Sequence, residues 1–171
     1  MSNRLFLKTS KLSLSIVFLS IMLIVSYIES IIPFSLGGLG VKIGLSNIVT
    51  ILAIKTLSIR ETIYINALRL IILGVLFGNL MRFIISVSGF ILSFIVMAIL
   101  LKKLKFSIII TSIYGAVFHN IGQIIAILFF IRNINIISLI PIYIIFGVFT
   151  GTIIGITTNL LYKKLKVISI E

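Results

Sequence analysis

Apolar residues run through this chain in long blocks, and short polar or basic clusters separate the blocks. Six blocks stand out: Leu12–Ile32, Gly44–Leu57, Ile63–Leu80, Phe83–Leu101, Phe106–Ile131 and Ile136–Tyr162. A helix that crosses a bilayer needs about 20 residues. Five of the blocks reach or approach that length, and the last two are long enough to tilt. The second is short, and a re-entrant segment is the alternative to a crossing. The expected fold class is all-α, one domain over residues 1–171. It is a polytopic membrane bundle of six transmembrane helices, with spans near 12–32, 44–58, 62–80, 83–101, 106–131 and 136–162. Short loops make successive helices antiparallel neighbours.

Basic residues decide whether the second block crosses. With six spans and the N-terminus inside, the cytoplasmic side carries Arg4, Lys8, Lys11, Lys55, Arg60, Lys102, Lys103, Lys105, Lys163, Lys164 and Lys166. Lys42, Arg82 and Arg132 fall outside, a division of 11 to 3 with Arg69 set aside. Without that crossing every later loop flips and the excess is lost. The positive-inside rule therefore favours six spans, with both termini cytoplasmic and the chain in the plasma membrane. The run Leu12–Ile32 is too long for a signal-peptide core, and no small-residue cleavage site follows it, so it reads as the first span.

Composition supports the membrane class: 60% hydrophobic, 11% charged and a mean hydropathy of +1.36. Soluble domains are nearer half apolar and a quarter charged. The net charge of +12 would suggest nucleic acid in a soluble domain. Here it lies at segment ends, where it sets orientation and meets membrane lipid, so no nucleic-acid partner is expected. There is no Cys, no Asp and one His. A thiol nucleophile, a thiolate or His-based metal site and a magnesium-holding carboxylate cluster are all excluded. No catalytic residue, metal or cofactor is expected. No phosphate-binding Gly-x-x-x-x-Gly-Lys-Ser/Thr loop occurs either, so ATP-driven work would fall to a partner.

Against this apolar background a few polar residues carry the candidate chemistry. Arg69 lies inside the third block, where a guanidinium is costly and cannot lose its proton. Asn66, three residues earlier, shares its helix face, and Gly74 and Gly78 follow at a four-residue spacing. Arg69 is either a structural cation paired with Glu29 or Glu61, or a clamp for a carboxylate or phosphate. His119 and Gln123 stack at i and i+4, with Asn120 beside them and Gly115 and Gly122 close by. That group reads as interhelical hydrogen bonding or as the lining of a cavity. Lys42 and Asn47 mark the outer mouth of the second block, where a lysine attracts anions. Gly147, Gly151 and Gly155 form a close-packing ladder in the last helix, with another helix of the same chain as the expected partner. Pro141 suits that helix's first turn.

These residues also form a recognisable series. Val41-Lys42-Ile43-Gly44-Leu45-Ser46-Asn47 is followed by Arg69 and Gly74, then Ser88-Gly89-Phe90-Ile91-Leu92-Ser93, Gly115-Ala116-Val117-Phe118-His119-Asn120-Ile121-Gly122-Gln123, and Pro141 with Gly147-x-x-x-Gly151. From about Leu12 to Tyr162 the chain resembles the membrane family called heptaprenyl diphosphate synthase component I, also called the Gx transporter family. The six-helix layout is similar to that of the substrate-binding S components of energy-coupling factor transporters. That resemblance implies capture of a small anionic or vitamin-like solute from outside, with a coupling subunit and ATPases as partners. The enzyme label implies instead a non-catalytic membrane subunit of polyprenyl diphosphate synthesis for menaquinone side chains, working with a soluble synthase subunit. Under the first expectation Arg69 pairs with the solute's negative group. His119, Asn120, Gln123, Asn47 and Asn66 supply hydrogen bonds, and Lys42 draws the ligand in. A third possibility is a structural assembly protein in which the polar residues only join helices.

Overall fold

The structure, a computed structural model, describes residues 2–31, 44–77 and 80–168. Lys42 and Gly78 fall outside these residues. Six α-helices follow in order: α1 Ser2–Ile31, α2 Ser46–Thr56, α3 Ile59–Phe77, α4 Leu80–Ala98, α5 Ile108–Ile131 and α6 Ile140–Ile168. No strand occurs among the described residues. Among the described residues four segments are long and apolar enough to cross a membrane: Lys11–Ile31, Leu80–Lys103, Ile108–Ile131 and Ile134–Leu165. The protein is thus an all-helical membrane protein. The other two helices are unlike these four. α2 has 11 residues, about 16 Å of helix, roughly half a hydrocarbon core. α3 carries Arg60, Glu61 and Arg69 within 19 residues.

Helix ends depart from the apolar blocks in an orderly way. α1 begins at Ser2 rather than near Leu12, and α6 runs to Ile168, beyond Tyr162. Basic residues are good helix formers, so a helix continues past its apolar stretch into water. α3 begins with a reciprocal cap. The Ser58 N–H donates to Glu61 Oε2 at 2.8 Å, and the Glu61 N–H donates to Ser58 Oγ at 3.2 Å. Ser107 caps α5 by accepting from the Ile110 N–H. Arg132 closes α5 in the left-handed conformation, φ 52°. A π-turn, Ile99–Lys103, extends α4 before left-handed Lys105 at φ 55°. The Phe106 N–H then reaches back to the Leu100 carbonyl at 2.9 Å, one residue wider than a Schellman closure because the preceding turn is a π-turn. Pro141 sits in the first turn of α6, where its missing N–H costs no hydrogen bond.

Packing is uneven. The most extensive interfaces among the described residues join α4 to α5 and α5 to α6. Small residues make both possible. A Cβ placed on Gly147, Gly151 or Gly155 would lie 2.9, 2.7 or 2.9 Å from the Cα of Val117, Ile113 or Ile109. The glycine ladder therefore lies on the α5 backbone of the same chain. On the other side of α5, a Cβ on Gly122 would stand 2.6 Å from the Ser88 carbonyl oxygen. Lipid offers no hydrophobic drive for helix association, so this intimate backbone contact is what joins the three helices. α1 and α3 are more loosely attached.

α2 is the hub. It packs against α1, α3, α4, α5 and α6. Eight of its residues, Ser46, Asn47 and Val49 through Ile54, are buried. A helix buried on every side has no lipid-facing stripe to reveal it in sequence.

Candidate functional site

Polar atoms inside the bundle form two groups. The first lies where α1, α2 and α3 meet. Arg69 on α3 is buried at 6% exposure. Its Nη1 donates to Ser26 Oγ on α1 at 3.3 Å, and its Nε is buried with no hydrogen-bond partner. Glu29, one turn beyond Ser26, is the acid whose charge acts on Arg69. Glu29 is itself engaged: its Oε1 accepts from the backbone N–H of Gly44 and from that of Leu45 at 3.2 Å. Those N–H groups open α2. Leu45, the residue preceding the helix, has no side chain able to cap it. Gly44 holds φ +85°, a backbone conformation that favours glycine. The carboxylate from α1 takes the place of the missing cap and adds the favourable interaction of an anion with a helix N-terminus.

Two asparagines flank this group. Asn66 is fully buried and is used structurally. Its Nδ2 donates to the Thr62 carbonyl at 3.0 Å, and its Oδ1 accepts from Thr50 Oγ1 at 3.2 Å, tying α3 to α2. Asn47, in the first turn of α2, is also buried, and its Nδ2 has no partner. That Nδ2 lies beside Gly44, 3.0 Å from where a Cβ would stand.

The second group belongs to α4, α5 and α6. Gln123 Nε2 donates to His119 Nε2 at 3.2 Å, along one face of α5. Asn120 Nδ2 donates to the Tyr143 carbonyl of α6 at 3.0 Å. Gly89 of α4 lies directly against the pair: a Cβ there would stand 2.8 Å from Gln123 Cγ and 3.0 Å from His119 Cε1. Gln123 Oε1, Ser93 Oγ and Ser112 Oγ are fully buried without a hydrogen-bond partner. Next to this group an outward-facing groove of ≈ 320 Å³ runs between α4 and α5 over Ser88 and Gly122. Exposed Ile91 and Ile125 form its walls.

The structure thus bonds Arg69 to Ser26 and sets it in the field of Glu29, the acid that holds the α2 N-terminus beside Asn47, and it joins His119 to Gln123 with Asn120 next in the chain. It does not join the two groups directly. α3 and α5 do not pack on each other among the described residues, and α2 stands between them. Gly115 and Gly122 pack on Met97 and on the Ser88 backbone. Gly74 packs on the Phe83 ring. Sequence reasoning weighed Glu29 only as an ion-pair partner and missed it as the cap of α2. The available signal was Leu45, a residue unable to cap, at the helix start.

This arrangement, apolar helices enclosing a few polar residues with no cluster of acids, defines a polytopic helical membrane protein. The family model described as heptaprenyl diphosphate synthase component I matches residues 18–161, and the chain belongs to that family. No curated protein and no solved structure matches it.

Proposed function

We propose that the protein is a solute-binding membrane component that takes up a small anionic or vitamin-like ligand, in the manner of an S component of an energy-coupling factor transporter. One observation carries this reading. A permanent cation, Arg69, is buried with one long hydrogen bond and an unpartnered Nε, while the nearest acid is committed to the start of α2. Intramembrane charge of this kind marks a substrate or ion pathway by default. In this reading the whole chain is one membrane domain of six spans in the plasma membrane, with both termini cytoplasmic. Lys42 draws the solute in, and Arg69 and Asn47 meet its negative group. His119, Asn120, Gln123 and Asn66 hold the helices around it. A coupling subunit and ATPases supply the energy.

The family description favours a second reading, a non-catalytic membrane subunit of heptaprenyl diphosphate synthase. Here a soluble, acid-rich synthase subunit is the partner, and Arg69 meets a diphosphate. The chain's three acids, Glu29, Glu61 and Glu171, are scattered along the sequence rather than paired in a motif, so in this reading the magnesium-dependent chemistry falls to that partner.

A thermal-shift panel on the purified protein separates the two. Ligand at 100 times its Kd adds about 2.7 kcal/mol of stability. A vitamin-like hit with co-purifying ATPases supports uptake; an isoprenoid diphosphate hit with a co-purifying synthase supports the second reading. Arg69→Ala abolishes the shift under either. A normal shift in both Arg69→Ala and His119→Ala removes the site.

A further inference from the structure

Glu29 and the start of α2 form an arrangement that a structural cap alone does not require. The carboxylate accepts from two successive N–H groups, Gly44 and Leu45, at the positive end of a helix. Two further donors belong to the same network. Asn47 Nδ2, on a residue 4% exposed, is unpartnered beside Gly44. Arg69, 6% exposed, keeps an unpartnered Nε and lies within the field of the Glu29 charge. The backbone N–H groups and the Asn47 amide lie together at the α2 N-terminus, Glu29 links them electrostatically to the Arg69 guanidinium, and all three groups are donors. Such a set binds an oxyanion, and buried donors left unpaired are costly. Glu29 satisfies the backbone pair but leaves Asn47 Nδ2 and Arg69 Nε unpaired.

We propose that the α2 N-terminus, Asn47 and Arg69 form an oxyanion cradle for a carboxylate or phosphate, and that Glu29 fills it as a built-in surrogate displaced by the ligand. This rests on the anion-binding reading above and deepens it, because it places the ligand's charged group at the Gly44 and Leu45 amides. A phosphate, with more acceptor oxygens than Glu29 Oε1 presents, reaches Asn47 and Arg69 as well. Once expelled, Glu29 no longer ties the last turn of α1 to α2, so occupation of the cradle frees α1 from the hub helix.

The test uses the full-length protein in nanodiscs, with inorganic pyrophosphate and succinate as probes and binding followed by thermal shift. Removing the competitor's charge in Glu29→Gln is expected to tighten binding of the preferred probe at least tenfold. Arg69→Gln is expected to abolish it in either background. The tighter-binding probe tells a phosphate cradle from a carboxylate one. If Glu29→Gln does not fold, Glu29→Asp replaces it: its shorter side chain holds the amides less well, so binding tightens by a smaller factor. Infrared difference spectra of the wild type provide an independent reading. The chain has only three glutamates and no aspartate, so a carboxylate band that moves on pyrophosphate addition, and is missing from the Glu29 variant, reports the displacement. Unchanged or weaker binding in the Glu29 variants, or no such band, overturns the surrogate. If Arg69→Gln still removes binding in that case, the anion-binding reading stands. Binding that survives Arg69→Gln overturns both.

Discussion

The Asn120 side chain on α5 donates to the backbone carbonyl of Tyr143 on α6, at 3.0 Å and with both residues buried. The bond fixes the register of two helices whose contact is otherwise made by glycines and small side chains. Asn120→Leu is expected to lower stability by about 1 kcal/mol, within the range of interhelical hydrogen bonds in membranes. Unfolding in mixed micelles, with Asn120→Asp as a second variant, measures it.

Two glycine substitutions should differ in severity for a stated reason. A Cβ on Gly122 meets the Ser88 carbonyl oxygen at 2.6 Å and the Gly89 Cα at 3.0 Å, both backbone. A Cβ on Gly74 meets the Phe83 ring, at 2.7 Å, and a ring can turn aside. Gly122→Ala is expected to cost about 1–3 kcal/mol, and Gly74→Ala less. Equal thermal shifts for the two would contradict the backbone-contact account.

Arg132 ends α5 at φ 52°, a conformation glycine adopts without a steric penalty. Its side chain lies at the end of the helix, outside both buried polar groups. Arg132→Gly is expected to stabilise the protein by about 1 kcal/mol, the low end of the cost of left-handed backbone for a residue other than glycine. A lower melting temperature would assign the Arg132 side chain an anchoring role that outweighs its backbone cost.

At the start of α3, the Ser58 N–H bonded to Glu61 holds the Glu61 carboxyl below the usual carboxylate range. The Ser58 hydroxyl adds to that effect, and the charge of Lys11 contributes last. A folded-state pKa below the unfolded one contributes stability that is present above about pH 4.3 and is lost as pH falls through the lowered value. Glu61→Gln is therefore expected to flatten the acid limb of the stability profile by lowering neutral stability slightly and leaving stability in acid unchanged. Ser58→Ala removes the reciprocal cap and is expected to cost about 1 kcal/mol across the whole range.

Much of this molecule is legible in its residues because lipid leaves few choices. Long apolar blocks become helices, since every backbone polar group must be satisfied within its own segment. The ladder Gly147, Gly151 and Gly155 announces a close helix contact, and the contact is with α5. His119 and Gln123, four apart, do meet. What the residues do not disclose is which helices become neighbours. Nothing in the order of Arg69 and His119 indicates that α2 stands between them. Nor does a count of apolar residues locate helix ends, because hydropathy marks the membrane boundary and the helix continues past it in α1 and α6. Glu29 was invisible for a related reason. Its role depends on a contact between the last turn of α1 and the start of α2, 15 residues later.

The contrast between the glycine-laced α4–α5–α6 layer and its loosely held flank has a mechanical meaning. Helices in backbone contact resist relative motion, whereas α1 and α3 are held by fewer contacts and by the polar ties of Glu29 and Asn66 to α2. An opening that breaks the fewest contacts swings the flank that carries Arg69 and leaves the three-helix slab as the fixed jaw. A cross-link joining α1 to α3 would leave such a movement intact, and one joining α1 to α6 would arrest it.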